Sequence, residues 1–291
     1  MGKIMIIGGA NIDIIAKAKN ELLMHDSNVG VMEISYGGVG RNIVENLARL
    51  GNEVHFLTAI GNDEFGKSLK ADLKILKVDL SGSFFSSKRS GLYLALCEPD
   101  GEMKIAICDN EIIQGLNPEY LESILDYINS FDHFAIDTNL SKSTLDFLFR
   151  NLKGKIYVDA TSITKAMLLE PHLSRISLLK GNAAEIAALS KVKGDINSQI
   201  NALLNLGVKR VVATSGQGPV YYNQDGMIKS ATPLPEKPLS TTGCGDAFMS
   251  GLIHGILLGS TFDQSIDFGF KAASATMKVV GACNPELDKY F

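Results

Sequence analysis

The sequence lacks any run of basic residues, and its 28 Lys+Arg are outnumbered by 32 Asp+Glu, for a formal net charge of −4. A duplex-binding protein needs a basic footprint, so a nucleic-acid polymer is not an expected partner. No stretch of about 18 apolar residues occurs, which argues against a helical membrane span. The opening MGKIMIIGGANID holds an apolar run too short for a secretion signal, and Gly8–Gly9 interrupts it. Cys97, Cys108, Cys244 and Cys283 lie far apart with no CxxC pair, and the five histidines show neither HxH nor HExxH spacing. Disulfide frameworks and zinc cages are therefore disfavoured, and the expected compartment is the reducing cytoplasm. Repeats, low-complexity tracts and linkers are also missing. What remains is an ordinary globular composition, 45% apolar and 21% charged over 291 residues, enough for one large domain around a sealed core.

Short β-rich runs alternate with helical patterns. Candidate strands are Ile4–Ile7, Val54–Ile60, His133–Ile136, Ile156–Val158, Ile176–Leu179 and Val211–Thr214. Between them, Arg41–Leu50 places Ile43, Val44, Leu47 and Leu50 on one face and stops at Gly51. Tyr120–Ile128, Lys142–Leu152, Ala183–Leu189 and Ile196–Leu206 read as helices in the same way. The alternation predicts a parallel sheet covered by helices on both faces. Two segments break the rhythm: a polar, irregular Ile14–Tyr36 that ends in alternation, and Ser90–Cys108 with Asp100–Gly101 at a hairpin turn. Neither can bury a core alone, so both are expected to form an antiparallel β-lid on the α/β body.

Gly61–Ser68 reads GNDEFGKS, a literal match to the GxxxxGK[ST] phosphate loop. Its interior is wrong for that role, because Asp63 and Glu64 would carry two negative charges towards a polyphosphate. A strand–helix turn with acidic residues at the helix start and a solvated Lys67 is the preferred reading.

Chemistry is concentrated in Ser240–Ser250, STTGCGDAFMS. Small residues run straight into a helix start, so backbone N–H groups point outward at the positive end of the helix dipole. Gly243 and Gly245 let those groups converge with that of Cys244 into an anion hole, and Asp246 sits beside it. A carboxylate next to such a cradle suits phosphoryl transfer, taking the proton of an attacking hydroxyl; the simpler alternative is an Asp that stabilises a helix end. Gly37–Asn42, GGVGRN, opens another helix where glycines admit close approach, either by ligand hydroxyls or by tight helix packing. Asn11 and Asp13, taken as the end of the first strand, face one way and suit two vicinal sugar hydroxyls, or else form a loop turn. Asn182-x-x-Glu185 reads as a capping box, as a carboxylate orienting Mg²⁺-bound water near ATP phosphates, or as both.

The segments GGANID, GGVGRN, Asn182-x-x-Glu185 and TTGCGD occur in one order, and with them the chain resembles the ribokinase/PfkB family of sugar and nucleoside kinases over essentially its whole length. The resemblance implies a ribokinase-like three-layer α/β/α sandwich, one domain over 1–291 with a mostly parallel central sheet and a lid from about 14–36 and 88–109. It also accounts for Thr58–Gly66 without a phosphate loop. Within the family, pseudouridine kinases are the most similar subgroup, on Asp26-Ser27-Asn28, GGVGRNIVENLARLG, DGEMKIAI and DTNLS. The implied reaction is ATP-dependent phosphorylation of the 5′-hydroxyl of pseudouridine, with Mg²⁺ as cofactor; the alternatives are another nucleoside or sugar kinase of the family and a non-catalytic nucleoside-binding sensor. Residue by residue, the resemblance makes Asp246 the base and Gly243, Cys244 and Gly245 the anion hole. It gives Asn11, Asp13, Gly38 and Asn42 to the ribose, and Ser27, Asn28 and Arg41 to the nucleobase. Asn182, Thr214 and Gly216 go to ATP and Glu185 to Mg²⁺ through water. Four positions depart from the family pattern: Ser240 where many relatives carry Asp at a potassium loop, Cys244 for Ala, Pro219 for Gly and Val29 for Pro. The first leaves a K⁺ requirement open. A homodimer through lid strands is expected, since an exposed lid edge invites pairing.

Overall fold

A computed structural model describes residues 2–291. The chain opens with β1 (Lys3–Ile7), β2 (Asn11–Ala18), β3 (Gly30–Gly37) and α1 (Val39–Arg49). It continues through β4 (Glu53–Leu57), β5 (Ala59–Gly61), α2 (Glu64–Ile75), β6 (Phe84–Ser86), β7 (Gly91–Cys97) and β8 (Met103–Asp109). Then follow α3 (Pro118–Ser123), α4 (Leu125–Ile128), β9 (His133–Asp137), α5 (Lys142–Asn151), β10 (Lys155–Asp159) and α6 (Ile163–Ala166). The C-terminal part holds β11 (Leu178–Asn182), α7 (Ala183–Ser190), α8 (Ile196–Asn205), β12 (Val211–Thr214), β13 (Val220–Gln224), β14 (Met227–Ala231), α9 (Cys244–Leu257) and α10 (Phe262–Met277).

An 8-stranded sheet in the order β14-β13-β12-β11-β10-β9-β1-β4 forms the middle layer, parallel except for the β13–β14 edge. Period-two alternation sends neighbouring side chains of one strand to opposite cores. In β1, Ile4 and Ile6 join a cluster with Ile43, Leu47, Leu252 and Ile266, whereas Met5 and Ile7 join one with Leu145, Leu148, Ile186 and Leu203. Helices α1, α9 and α10 therefore cover one face and α5, α7 and α8 the other, as the three-layer expectation requires. The sheet's carboxyl edge gathers Asp137, Asp159, Asn182 and Thr214, the last residues of β9, β10, β11 and β12.

Several elements differ from the sequence reading. Val54–Ile60 is two strands. Beyond Leu57, the Thr58 N–H donates to Ser83 Oγ at 3.2 Å and its carbonyl accepts from Phe84 at 2.8 Å, so β5 pairs with β6 instead. The strand expected at Ile176 begins at Leu178, because the Ile176 N–H closes a turn on Leu173. The helix expected over Tyr120–Ile128 breaks at Ile124, whose φ is −121°. The β13–β14 hairpin and α10 went unread.

The lid is a 4-stranded sheet, β3-β2-β7-β8. Ile14–Tyr36 is not irregular: β2 and β3 pair over eight residues each, from Asn11 opposite Gly37 to Ala18 opposite Gly30. The lid is not wholly antiparallel either, because its two hairpins join through the parallel pair β2–β7. Asn11 and Asp13 belong to the lid strand β2 and not to the end of β1, and β3 leads directly into α1.

The GNDEFGKS segment is a capped turn. Asp63 accepts from the Gly66 N–H at 2.8 Å at the start of α2, and from the Ser90 N–H and hydroxyl at 2.9 and 2.7 Å, tying the body to the root of the lid. Lys67 is exposed and pairs with Glu64 at 2.6 Å. Replacing Lys67 by Ala is predicted to leave kcat within about twofold, whereas a phosphate-loop lysine would cost a hundredfold or more. Steady-state kinetics of K67A decides, and a large loss would restore the phosphate-loop reading.

Candidate active site

The acceptor side of the site is organised by a residue that was not singled out as functional. Asp137 is only 1% exposed, and its carboxylate accepts from the main-chain N–H groups of Gly9 (3.0 Å), Gly40 (2.8 Å) and Asn139 (2.8 Å). Burial pushes its pKa up, and those amides oppose the shift. The carboxylate thus pins the GGANID segment against the first turn of α1. Gly38 makes this approach possible: its φ is +98°, and a Cβ there would lie 2.6 Å from the Gly9 carbonyl. Next to it, Asn11 donates to Asp13, whose carboxyl is pushed up to about 6, chiefly by burial, against the pull of Arg41 and of the Asn11 bond. Asn110, at the exit of β8, brings a buried Oδ1 with no partner to the same corner, 2.6 Å from where a Cβ on Gly91 would be. Sequence reading missed Asn110; the only signal is its position straight after the second lid hairpin.

The transfer side starts at α9. Gly243 caps the helix at φ +75°, and a Cβ there would lie 2.0 Å from the Ala282 carbonyl. Of the expected anion-hole amides, that of Cys244 is occupied, donating to the Thr241 carbonyl at 3.3 Å. The N–H groups of Gly243, Gly245 and Asp246 have no acceptor among the described residues. The cradle is therefore Gly243, Gly245 and Asp246, a correction to the part given to Cys244.

Asp246 is half-buried and accepts from Asn42 Nδ2 at 2.8 Å. Burial pushes its pKa up to about 7; Asp159 adds to the rise, while Lys180 and the Asn42 bond oppose it. Lys180 is the second unforeseen residue. It is 6% exposed, and its ammonium donates to Asp159 at 2.8 Å while lying 3.0 Å from where a Cβ on Gly245 would sit. Burial works against its charge, but Asp159 and then Asp246 outweigh that, so its pKa is raised and it is a permanent cation beside the cradle.

Asn182 and Glu185 form the expected capping box: the Glu185 N–H donates to Asn182 Oδ1 at 3.0 Å, and the Asn182 N–H donates to Glu185 Oε2 at 2.8 Å. Glu185 is buried, which raises its pKa, with Asp159 adding to the rise and Lys180 opposing it. Thr214 and Gly216 line a largely apolar cavity of about 370 Å³ that reaches Gly245 and is walled by Phe248, Phe270 and Met277.

The structure does not bring Ser27 or Asn28 into this cluster, and it places Arg41 at the cluster's edge, close enough for its charge to pull down the pKa of Asp13. Arg41 is buried against Glu45, donates to Asp72 at 3.0 Å and lies over the Tyr36 ring, so its guanidinium braces α1 and α2. Asn28 closes its own loop by bonds to the Leu23 main chain. With Ser27 it lies at the lid tip, beyond the seven steps from Asn11 to Ala18, roughly 24 Å along β2.

A carboxylate near neutrality beside a free-amide cradle, with the polar Asn11–Asp13 corner on one side and a largely apolar cavity on the other, suits the movement of a phosphoryl group. The sequence profile of the pfkB family carbohydrate kinases matches residues 1–289. The chain belongs to that family. It is a sugar or nucleoside kinase that uses ATP. The kinase is 31% identical to the pseudouridine kinase of Escherichia coli (strain K12) over 98% of this chain and 93% of that one. The ribokinase of Thermotoga maritima superposes with a TM-score of 0.89 at 22% identity, over 100% of this chain and 99% of that one. A protein assigned as ribokinase II from E. coli, solved in complex with ATP and Mg²⁺, superposes at 0.85 with 18% identity, over 100% and 99%.

Asp246 can take a proton only when ionised. The acceptor's kcat/KM is therefore predicted to be full above about pH 7 and to fall nearly tenfold per unit below it. Removing the opposing cation in Lys180→Met moves that midpoint upward. A pH–rate profile flat from about pH 5 to about pH 8 would show that no such base operates.

Proposed function

We propose that this kinase phosphorylates the 5′-hydroxyl of pseudouridine with ATP as donor. The observation that carries the reading is the Asp246 carboxylate, held by Asn42 at 2.8 Å next to unpaired helix-start amides and raised to about pH 7. Asp246 accepts the hydroxyl proton as that oxygen attacks the γ-phosphorus. The bond from phosphorus to the β–γ bridging oxygen breaks, and its electron pair leaves with ADP. The amides of Gly243, Gly245 and Asp246, together with Lys180, meet the negative charge on the phosphoryl oxygens. Asn11, Asp13, Gly38 and Asn110 surround the ribose, and Asn42 also orients the base. Asn182, Thr214 and Gly216 hold the ATP side. The similarity to pseudouridine kinase supports the choice of nucleoside.

Magnesium suits the donor set. Among the described residues no cluster of three His, Cys, Asp or Glu could cage a metal. Mg²⁺ needs only one or two carboxylates besides substrate phosphates and water, and Glu185, acting through water, supplies one. When bound, the ion offsets charge on the ATP phosphates. All four cysteines are free thiols, which suits a reducing compartment, and we assign the kinase to the cytoplasm.

A homodimer through the lid is part of the same reading. Register aligns Ile34, Ile14, Leu94 and Ile107 in one row across the lid, and Met32, Ala16, Leu96 and Ile105 in the next. Ile34 and Ile107 are each 63% exposed and Met32 is 73% exposed. A second copy is the occupant this face fits. Lid against lid, each tip reaches towards the other body, giving Ser27 and Asn28 a route to a nucleobase that their own chain's geometry denies them.

A coupled ADP-release assay with pseudouridine, uridine, adenosine and ribose is expected to favour pseudouridine by kcat/KM. A preference for adenosine or ribose ends the pseudouridine reading and leaves the kinase. Asp246→Asn should lower kcat by about a thousandfold while nucleoside affinity persists; near-parental turnover would remove Asp246 from the mechanism. Light scattering should give a dimer for the parent and a monomer for Ile34→Lys/Ile107→Lys, and a monomeric parent refutes the lid contact.

A further inference from the structure

At the amino-terminal edge of the sheet, opposite the carboxyl edge that carries the active site, lies a crevice of about 610 Å³. Lys155 is the first residue of β10, Ser177 precedes β11, and Lys209 and Arg210 precede β12, so parallel pairing alone brings all four to one place. The Tyr157 ring and the Asp225 turn complete the wall.

Among the described residues, none of Lys155, Lys209 and Arg210 has a carboxylate within 4.0 Å. Arg210 instead lies over the Phe262 ring at 4.2 Å, which fixes its plane and leaves its N–H groups free. Asp225 is the only carboxylate on the wall, against three cations. Gln224, also on the wall, has a buried Oε1 with no partner. Cations that line one crevice without paired carboxylates repel one another, and a dianion removes that repulsion while accepting charge-assisted hydrogen bonds from them.

We infer that this crevice is a second ligand site, separate from the active site, for a small phosphate monoester. Its ligand belongs to the chemical class that the kinase itself produces. Strands β10, β11 and β12 start at this crevice and end at Asp159, Asn182 and Thr214, so the two sites share a rigid frame but no side chain.

The test is isothermal titration of the full-length kinase with ribose 5-phosphate, with the active site filled by ADP, Mg²⁺ and acceptor nucleoside. Inorganic phosphate in a parallel titration separates recognition of the ester from recognition of phosphate alone. Binding is expected in both arms and tighter for the ester. It should weaken at least tenfold in Lys155→Gln/Lys209→Gln/Arg210→Gln and as salt rises from about 50 mM to about 200 mM. The variant's kcat without added phosphate should match the parent, because none of the three residues belongs to the active site. The inference is overturned if the parent binds no ester up to about 10 mM, if the triple variant binds it equally well, or if the nucleoside displaces it. These outcomes do not depend on which nucleoside the active site prefers.

Discussion

One buried carboxylate sets the coordinates of the acceptor site. A carboxyl group with 1% exposure is tolerable only when its lone pairs are filled, and Asp137 fills them with amides that include two from segments far apart in sequence. Gly9 leads into Asn11 and Asp13; Gly40 leads into Asn42, which holds Asp246. Asn11 and Asp13 on one side and Asn42 on the other are thus both positioned from the same oxygen, Asp137 Oδ2. The glycines around it follow from that demand, since side chains at Gly8 or Gly40 would occupy the space of the Asp137 carboxylate.

A second constraint is electrostatic. Asp159 and Lys180 are register partners on β10 and β11, and Asp246 and Glu185 both feel their charges. In this enclosed cluster a lone carboxylate would be driven far up and a lone lysine far down. Mixing the two signs leaves Asp246 near neutrality, where a base accepts a proton and gives it up with little loss in either direction.

Much of this could be read from the sequence, and the failures have physical causes. The strands of the body were legible because each is apolar and short, and α1, α5, α7 and α8 because their stripes repeat with helical period. Helix α10 escaped because, apart from Phe262 and Ile266, its inward positions are Ser265, Gly269, Ala272, Ala273, Ala275 and Thr276, small residues that allow close packing on α9 yet extend no large apolar stripe. The lid strand β3 showed in the alternation that ends Ile14–Tyr36, whereas β2 escaped because Ile14, Ile15 and Ala16 are all half-buried, so no clean contrast between its faces imposes a pattern. The Asp225–Gly226 turn between β13 and β14 did carry a hairpin signal that went unused. Asp246 was legible because glycines announce a tight helix start. Lys180 and Asp137 were not, because their importance lies in partners supplied by strand register and by a distant loop, which no local spacing encodes.

The link between body and lid has a further consequence. Strand β1 stops at Ile7 and the lid strand β2 starts at Asn11, so the tether is Gly8-Gly9-Ala10, clamped at Gly9 by Asp137. The tether and the Asn11–Asp13 pair are therefore one continuous stretch of chain, so any force applied at Asn11 or Asp13 reaches the joint between body and lid without a relay through the body.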